Sequence, residues 1–305
     1  MSVFWINGFL WLCALSGDAR AFDLDAQRAL VNKGVIGVLG NGARGTDFAL
    51  IADLAIALDK GYDRRILPMA GAGSVRAIED LLLLRGVDVA FVQADVLDYY
   101  KRTDLFPDID DKLAYLARLY SKEFHLLASK DIGSIQDLEG QKVNFGPPSS
   151  GSFLTASLVF DALGIQVEAR DDDYQIALDK LRQGEIAAWV RVDAKPSLQM
   201  ADLPSWEELH LIPLPTAAIE EPYVAAELTS EDYPGLIDGE ASITTLAVPT
   251  IMAAYAWPRR HQKRAQLESF QDALIDRLGQ LRQTPFHAKW QEVDPKAEIA
   301  GWQRF

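Results

Sequence analysis

Val35-Ile36-Gly37-Val38-Leu39-Gly40-Asn41-Gly42-Ala43-Arg44-Gly45-Thr46 is the stretch that decides the fold class. A short apolar run predicts a buried strand, and the glycines after it predict a turn. Thr46 is placed to cap a helix over 47–60, which Gly61 closes. The same order returns at once. Ile66-Leu67-Pro68-Met69 reads as a strand, Ala70-Gly71-Ala72-Gly73 as a turn, and Ser74 as the cap of a helix ending at Gly86. A third strand covers 88–92, and Gln93 opens the loop into a helix over 96–101. Strands alternating with helices predict an α/β fold with mostly parallel sheets flanked by helices.

The second half repeats this grammar. Strands are expected over 124–128, 142–145, 186–190, 209–214 and 244–248. Gly146-Pro147-Pro148-Ser149-Ser150-Gly151-Ser152 turns into an apolar helix closed by Gly164. Ser134-Ile135-Gln136-Asp137 resembles a capping box. Further helices are expected over 174–183, from 205, and over 264–281, where Leu267, Phe270, Leu274 and Leu278 share a stripe. Asp171-Asp172-Asp173 reads as the solvated start of the 174–183 helix, where negative charge suits the dipole. Two runs of strands and helices predict two lobes, one from 22–123 with 245–305 and one from 124–244. Hinge crossings are expected at 122–124 and 241–244.

Residues 1–21 read as a secretory signal peptide. Residues 3–15 are apolar, and Ala19-Arg20-Ala21 is a small-x-small cleavage signal. The expected location is therefore periplasmic. The sole cysteine, Cys13, lies inside that segment, so neither a disulfide framework nor a cysteine metal site is expected. The chain has 305 residues and a formal charge of −14, which disfavours nucleic acid and anionic lipid as partners.

The turns carry the chemistry. Residues 40–46, 70–74 and 146–152 each follow a strand and open a helix. The first amides of a helix lack internal partners, and the dipole adds positive potential there. A small anion binds such a site without any charged side chain. The hydroxyls of Thr46, Ser74, Ser150 and Ser152 are candidate added donors, and Gly45, Gly73 and Gly151 allow close approach of the backbone. Open parallel sheets place ligands beyond the carboxyl ends of their strands, where these turns lie. Ordinary capping is the better explanation of any single turn; three together point to a shared crevice.

Gly40-Asn41-Gly42-Ala43-Arg44-Gly45 also fits the dinucleotide fingerprint G-x-G-x-x-G. That fold needs an acid at the end of the second strand, and Met69 runs instead into Ala70-Gly71-Ala72-Gly73. No nicotinamide cofactor is expected. Nor is an enzyme. The four histidines, His125, His210, His261 and His287, have no partner at metal-ligand spacing, and Gly151-Ser152-Phe153 is not a nucleophile elbow. Two other residues have two readings each. Arg191 either clamps a carboxylate in the cleft or pairs on the surface with Asp193 or Glu185. Tyr120 either lines the cleft or packs in the hinge.

Residues 40–46, the block from Gly73-Ser74 to Gln93-Ala94-Asp95, the segment 138–152 and Thr244-Thr245-Leu246-Ala247-Val248-Pro249 resemble the TAXI family of TRAP-transporter-associated solute receptors. The resemblance runs from about 34 to 255. It implies a type II periplasmic-binding-protein fold with two lobes and a cleft. It implies Ala43, Gly45, Ser74, Gln93, Ser150, Gly151 and Ser152 as binding positions, and Ser149 and Gly73 fall within the same turns. It implies a small organic anion such as glutamate, glutamine or 2-oxoglutarate, passed to membrane permease subunits. A monomer without a cofactor is expected. An importer driven by ATP, or a sensor subunit, is the alternative setting.

Overall fold

The computed structural model describes residues 23–43, 45–103, 105–201, 203 and 208–305. The expected signal peptide, and most of the short helix expected from 205, lie outside the described residues. The first half runs α1 (Leu24–Asn32), β1 (Val35–Asn41), α2 (Thr46–Leu58), β2 (Arg65–Gly71), α3 (Ser74–Leu83), β3 (Val89–Gln93), α4 (Val96–Thr103) and α5 (Ile109–Lys112), then β4 (Leu113–Ser129). After it come β5 (Lys142–Asn144), α6 (Gly151–Ala162), β6 (Glu168–Arg170), α7 (Tyr174–Arg182), β7 (Ala188–Asp193), α8 (Leu198–Ala201), β8 (Leu209–Leu211) and β9 (Val224–Thr229). The last strand is β10 (Ser242–Tyr255), followed by α9 (Gln262–Leu281).

The strands form one sheet in the order β2-β1-β3-β10-β4-β7-β5-β6, with β8 beside β4 and β9 beside β10. Each end of it is parallel, as alternating strands and helices predict. β1 pairs parallel with β2 and β3, and β5 parallel with β6 and β7. Two long strands join the ends. β4 and β10 run antiparallel, from Leu113 opposite Tyr255 to Glu123 opposite Ala247.

β10 pairs with β9 over residues 242–247 and with β3 over 250–254. Its handover between lobes therefore falls at 247–250, and the crossing expected at 241–244 is corrected by a few residues. The reason is local. Ser242 to Val248 is an uninterrupted β-forming run, so the strand continues well past its entry into the sheet. In β4 the handover falls near 123, where pairing to β7 begins.

Alternation along the strands supplies both faces of each lobe. In β3, Phe91 packs with Leu50, Leu54, Leu119, Phe270 and Trp290 on one face. Ala90 and Val92 pack with Ile78, Tyr100 and Tyr115 on the other. In the second lobe, Leu126 faces Phe145, Val159 and Phe160, whereas Leu127 faces Leu178, Trp189 and Tyr233. α6 serves both lobes: Ala156, Val159 and Phe160 belong to the second, but Leu154 and Leu158 pack into the first.

Of the three caps expected at Thr46, Ser74 and Ser134, two are corrected. Gly45 and Gly73 hold the N-cap positions of α2 and α3, so Thr46 and Ser74 are first helical residues. Gly73 has φ 129, a conformation that side chains resist, and a Cβ there would lie 2.3 Å from the Ser149 carbonyl oxygen. Close approach between the lobes selected glycine over a hydroxyl. Ser150 does cap α6, accepting from Phe153 N at 3.1 Å, and the capping box of Ser134 and Asp137 is present. Asp172, from the acidic run, pairs with Lys180 of α7.

Candidate functional site

The strand-to-helix turns of both lobes face each other across one crevice of about 850 Å³. The first lobe contributes Asn41, Gly42, Ala43, Gly45 and Thr46 from the end of β1, Gly71, Ala72 and Gly73 from the end of β2, and Gln93 from the end of β3. The second contributes Ser150, Gly151 and Ser152 at the start of α6, with Tyr174, Arg191 and Asp193. Tyr120 and Lys122 of β4 line it where the lobes meet. The crevice brings together Ala43, Gly45, Thr46, Gly73, Gln93, Tyr120, Ser150, Gly151, Ser152 and Arg191.

Two of the sequence candidates fall outside this lining. Ser74 is fully buried; its Oγ accepts from Gln93 N at 3.1 Å and donates to Gln93 Oε1 at 3.3 Å. That hydroxyl is spent on fixing Gln93, because it sits one residue inside the helix and behind the turn. Ser149 donates from Oγ to the Ala72 carbonyl at 3.3 Å, closing the two turns on each other.

The other hydroxyls are partly engaged. Ser150 Oγ accepts from Phe153 N, and Ser152 Oγ accepts from Val192 N at 3.0 Å. Each acceptor role leaves the hydroxyl proton for another partner. Gln93 Nε2 donates to the Gly151 carbonyl at 3.1 Å and to Thr155 Oγ1 at 2.6 Å. Its polar head therefore ties one lobe to the other while its side chain borders the crevice.

The three helix ends are not equivalent. Asp47 stands in the first turn of α2, almost wholly buried at 2% exposure. Its Oδ2 accepts from Asn41 N at 3.3 Å and from Lys122 Nζ at 2.8 Å, and Tyr120 OH donates to Oδ1. An internal carboxylate thus already occupies the positive end of that helix. Burial, and Asp47 beside it, push the Tyr120 hydroxyl well above its usual range, so it stays a donor. The ends of α3 and α6 carry no acid in their first turns. They remain the places where a ligand's negative charge is best met.

Arg191 lies within β7 and not beyond a strand end. It lines the crevice and also pairs with Asp193 at 3.0 Å. Burial works against ionisation of Asp193, but Arg191 and Lys122 outweigh it and hold its carboxyl below the usual range. Among the described residues, Arg191 Nε and Asn41 Oδ1 are buried polar atoms of the crevice wall without a protein partner. One is a donor from the second lobe and the other an acceptor from the first. Such atoms are costly unless something answers them.

Asp47, Lys122 and Asn41 escaped the sequence reading, and Asp193 entered it only as a partner for Arg191. Asp47 and Lys122 are 75 positions apart, and nothing local to either signals the pair. His125 is a packing residue, as its setting in a strand predicts: its Nε2 meets Tyr233 OH at 2.6 Å and its Nδ1 the Arg191 carbonyl at 3.1 Å. Among the described residues no group of three or more His, Cys, Asp or Glu side chains is placed to hold a metal ion. No helix among them is long and apolar enough to cross a membrane.

Two lobes joined by a pair of long antiparallel strands, with helix ends facing one crevice, define the fold class of periplasmic binding proteins of the type II, or Venus flytrap, kind. The chain belongs to the NMT1-like family, whose model matches residues 39–257. Solved structures agree in fold. The periplasmic aliphatic sulphonate binding protein SsuA from Escherichia coli is 15% identical, with a TM-score of 0.50 over 85% of this chain and 73% of that one. YhfZ from Shigella flexneri is 15% identical, with a TM-score of 0.51 over 86% of this chain and 97% of that one.

Proposed function

We propose that this protein is an extracytoplasmic solute receptor that closes around a small organic anion and delivers it to membrane permease subunits. One lobe runs to 123 and resumes after β10 crosses at 247–250, the segment between is the other lobe, and β4 with β10 is the hinge. One observation carries this: glycine- and serine-rich turns from both lobes line a single crevice of about 850 Å³. Bridging a ligand between them favours the closed arrangement, by as much as the ligand prefers closed over open.

The anion is met by the amide ends of α3 and α6, by the hydroxyl protons of Ser150 and Ser152, and by Arg191. Carboxylates such as glutamate or 2-oxoglutarate fit that donor set, and the TAXI-like motifs favour a TRAP-type permease. The receptor works as a monomer, without a cofactor and without catalysis. A second reading keeps the receptor and changes its partner. Likeness of fold to an aliphatic sulphonate binding protein favours a sulphonate as cargo, with an ATP-driven importer as the partner.

A thermal-shift panel separates these. Glutamate, glutamine, 2-oxoglutarate and short alkanesulphonates are added singly to the protein. A ligand that binds the folded state raises the melting point by mass action. A rise with carboxylates alone supports the first reading, and a rise with sulphonates alone supports the second. No rise with any organic anion overturns the assignment of the crevice.

A further inference from the structure

Behind the crevice the lobes touch through a buried carboxylate. Asp95 follows β3 in the first lobe and is fully buried. Both donors to it come from the second lobe. Thr155 of α6 donates from Oγ1 to Asp95 Oδ2 at 2.6 Å, and Tyr223 OH donates to the same oxygen at 2.9 Å. Thr155 in turn accepts from Gln93 Nε2 at 2.6 Å, so the contact continues to the crevice wall. The other carboxylate oxygen, Oδ1, is buried without a protein partner among the described residues. A carboxylate with one satisfied and one orphaned oxygen is poorly solvated, and the cost falls on its charged form.

The surrounding charges do not relieve it. Asp98 in the first turn of α4 adds negative potential. Arg102 of the same helix acts on Tyr223, but its guanidinium is paired with Asp161. The remaining faces are apolar or neutral: Leu154 and Leu158 of α6 pack with Leu97 and Tyr100. Separating the lobes would return Asp95 to water.

We propose that Asp95, Thr155 and Tyr223 form a proton-operated latch, in which uptake of a proton by Asp95 favours the closed arrangement of the lobes. Burial raises the Asp95 carboxyl to about 7 here, against an ordinary 3.8. The closed form therefore holds a proton, between those limits, that an open form gives up. Closure is favoured as pH falls through 7, and the effect is complete near 4. This rests on the lobes moving about the hinge and not on which ligand enters. It is a control on closure separate from the ligand, because none of the three side chains lines the crevice.

Small-angle scattering of the ligand-free protein tests it. Between pH 9 and pH 5 the closed-to-open ratio is expected to rise roughly a hundredfold, tenfold for each pH unit between 7 and 5. Asp95→Asn carries no titratable proton and is expected to give the same compact profile at both values. Tyr223→Phe removes a donor to the charged form, so the closed fraction is expected to fall at pH 9 and to keep its wild-type value at pH 5; loss of a merely structural contact would lower it at both. An identical wild-type profile at pH 9 and pH 5, or a pH response that survives in Asp95→Asn, overturns the latch. Because no ligand is added, either result leaves the assignment of the crevice standing.

Discussion

Lys122 Nζ stands 2.8 Å from Asp47 Oδ2, at the back of the crevice and almost out of reach of water. The pair joins the hinge strand to the first turn of α2, and it carries a consequence for stability. Removing one member of a buried pair leaves the other charged and unanswered, at a cost of about 3–5 kcal/mol. Lys122→Met is expected to destabilise by that amount in urea unfolding. Adding Asp47→Asn should restore much of the loss, since the stranded charge goes with it. Equal losses in the single and double variants would show that the charge is not what matters.

Gly151 packs against the head of Gln93 with no space for a side chain. A Cβ on it would lie 1.5 Å from Gln93 Oε1. Gly151→Ala is therefore expected to hold the lobes apart and to enlarge the radius of gyration in scattering. Shortening the opposing side chain relieves the clash, so Gly151→Ala with Gln93→Ala should recover compactness. No recovery would place the obstruction elsewhere.

Arg191 offers an orphaned Nε to the crevice while another nitrogen pairs with Asp193. Charged hydrogen bonds contribute about 1.5–3 kcal/mol, so Arg191→Ala should weaken binding of whichever panel anion raises the melting point by roughly 10- to 100-fold. Calorimetry reads this directly. Unchanged affinity with lowered stability would reduce Arg191 to a partner for Asp193.

His125 provides a pH test within the second lobe. Burial lowers its imidazole to about 4, against an ordinary 6.5. The unfolded chain thus takes up a proton between 6.5 and 4 that the folded protein refuses. This group's contribution to stability is full above 6.5, falls as pH drops toward 4 and is constant below. Nitrogen-15 NMR should show a neutral ring at pH 5.5. A ring protonated at that pH would contradict the buried Tyr233–His125 bond.

Much of the parallel part of the fold was legible because it is written locally. In β1, β2 and α2, an apolar run, a glycine turn and an amphipathic run follow within some twenty-five residues, and each obeys its own periodicity. The turns 40–46, 70–74 and 146–152 were legible as helix starts for the same reason. β4 was not: Arg118, Lys122 and Glu123 interrupt its pattern, so only 124–128 read as strand, although it spans Leu113–Ser129. β9 and α1 also went unread. β9 leaves only Leu228 buried, so it lacks the apolar signal on which strand reading depends.

The sequence by itself determined the alternation of strands and helices, and with it the placing of helix amides beyond the strand ends, because backbone geometry and side-chain period act over neighbouring residues. Tertiary structure alone decided what those ends meet. It put Asp47 against Lys122, Gly73 against Ser149 and Asp95 against Tyr223, pairs separated by 75, 76 and 128 positions. Burial and charge complementarity between distant segments have no local signature. They arise only in the folded chain, for the last two of those pairs when the long strands bring the lobes together.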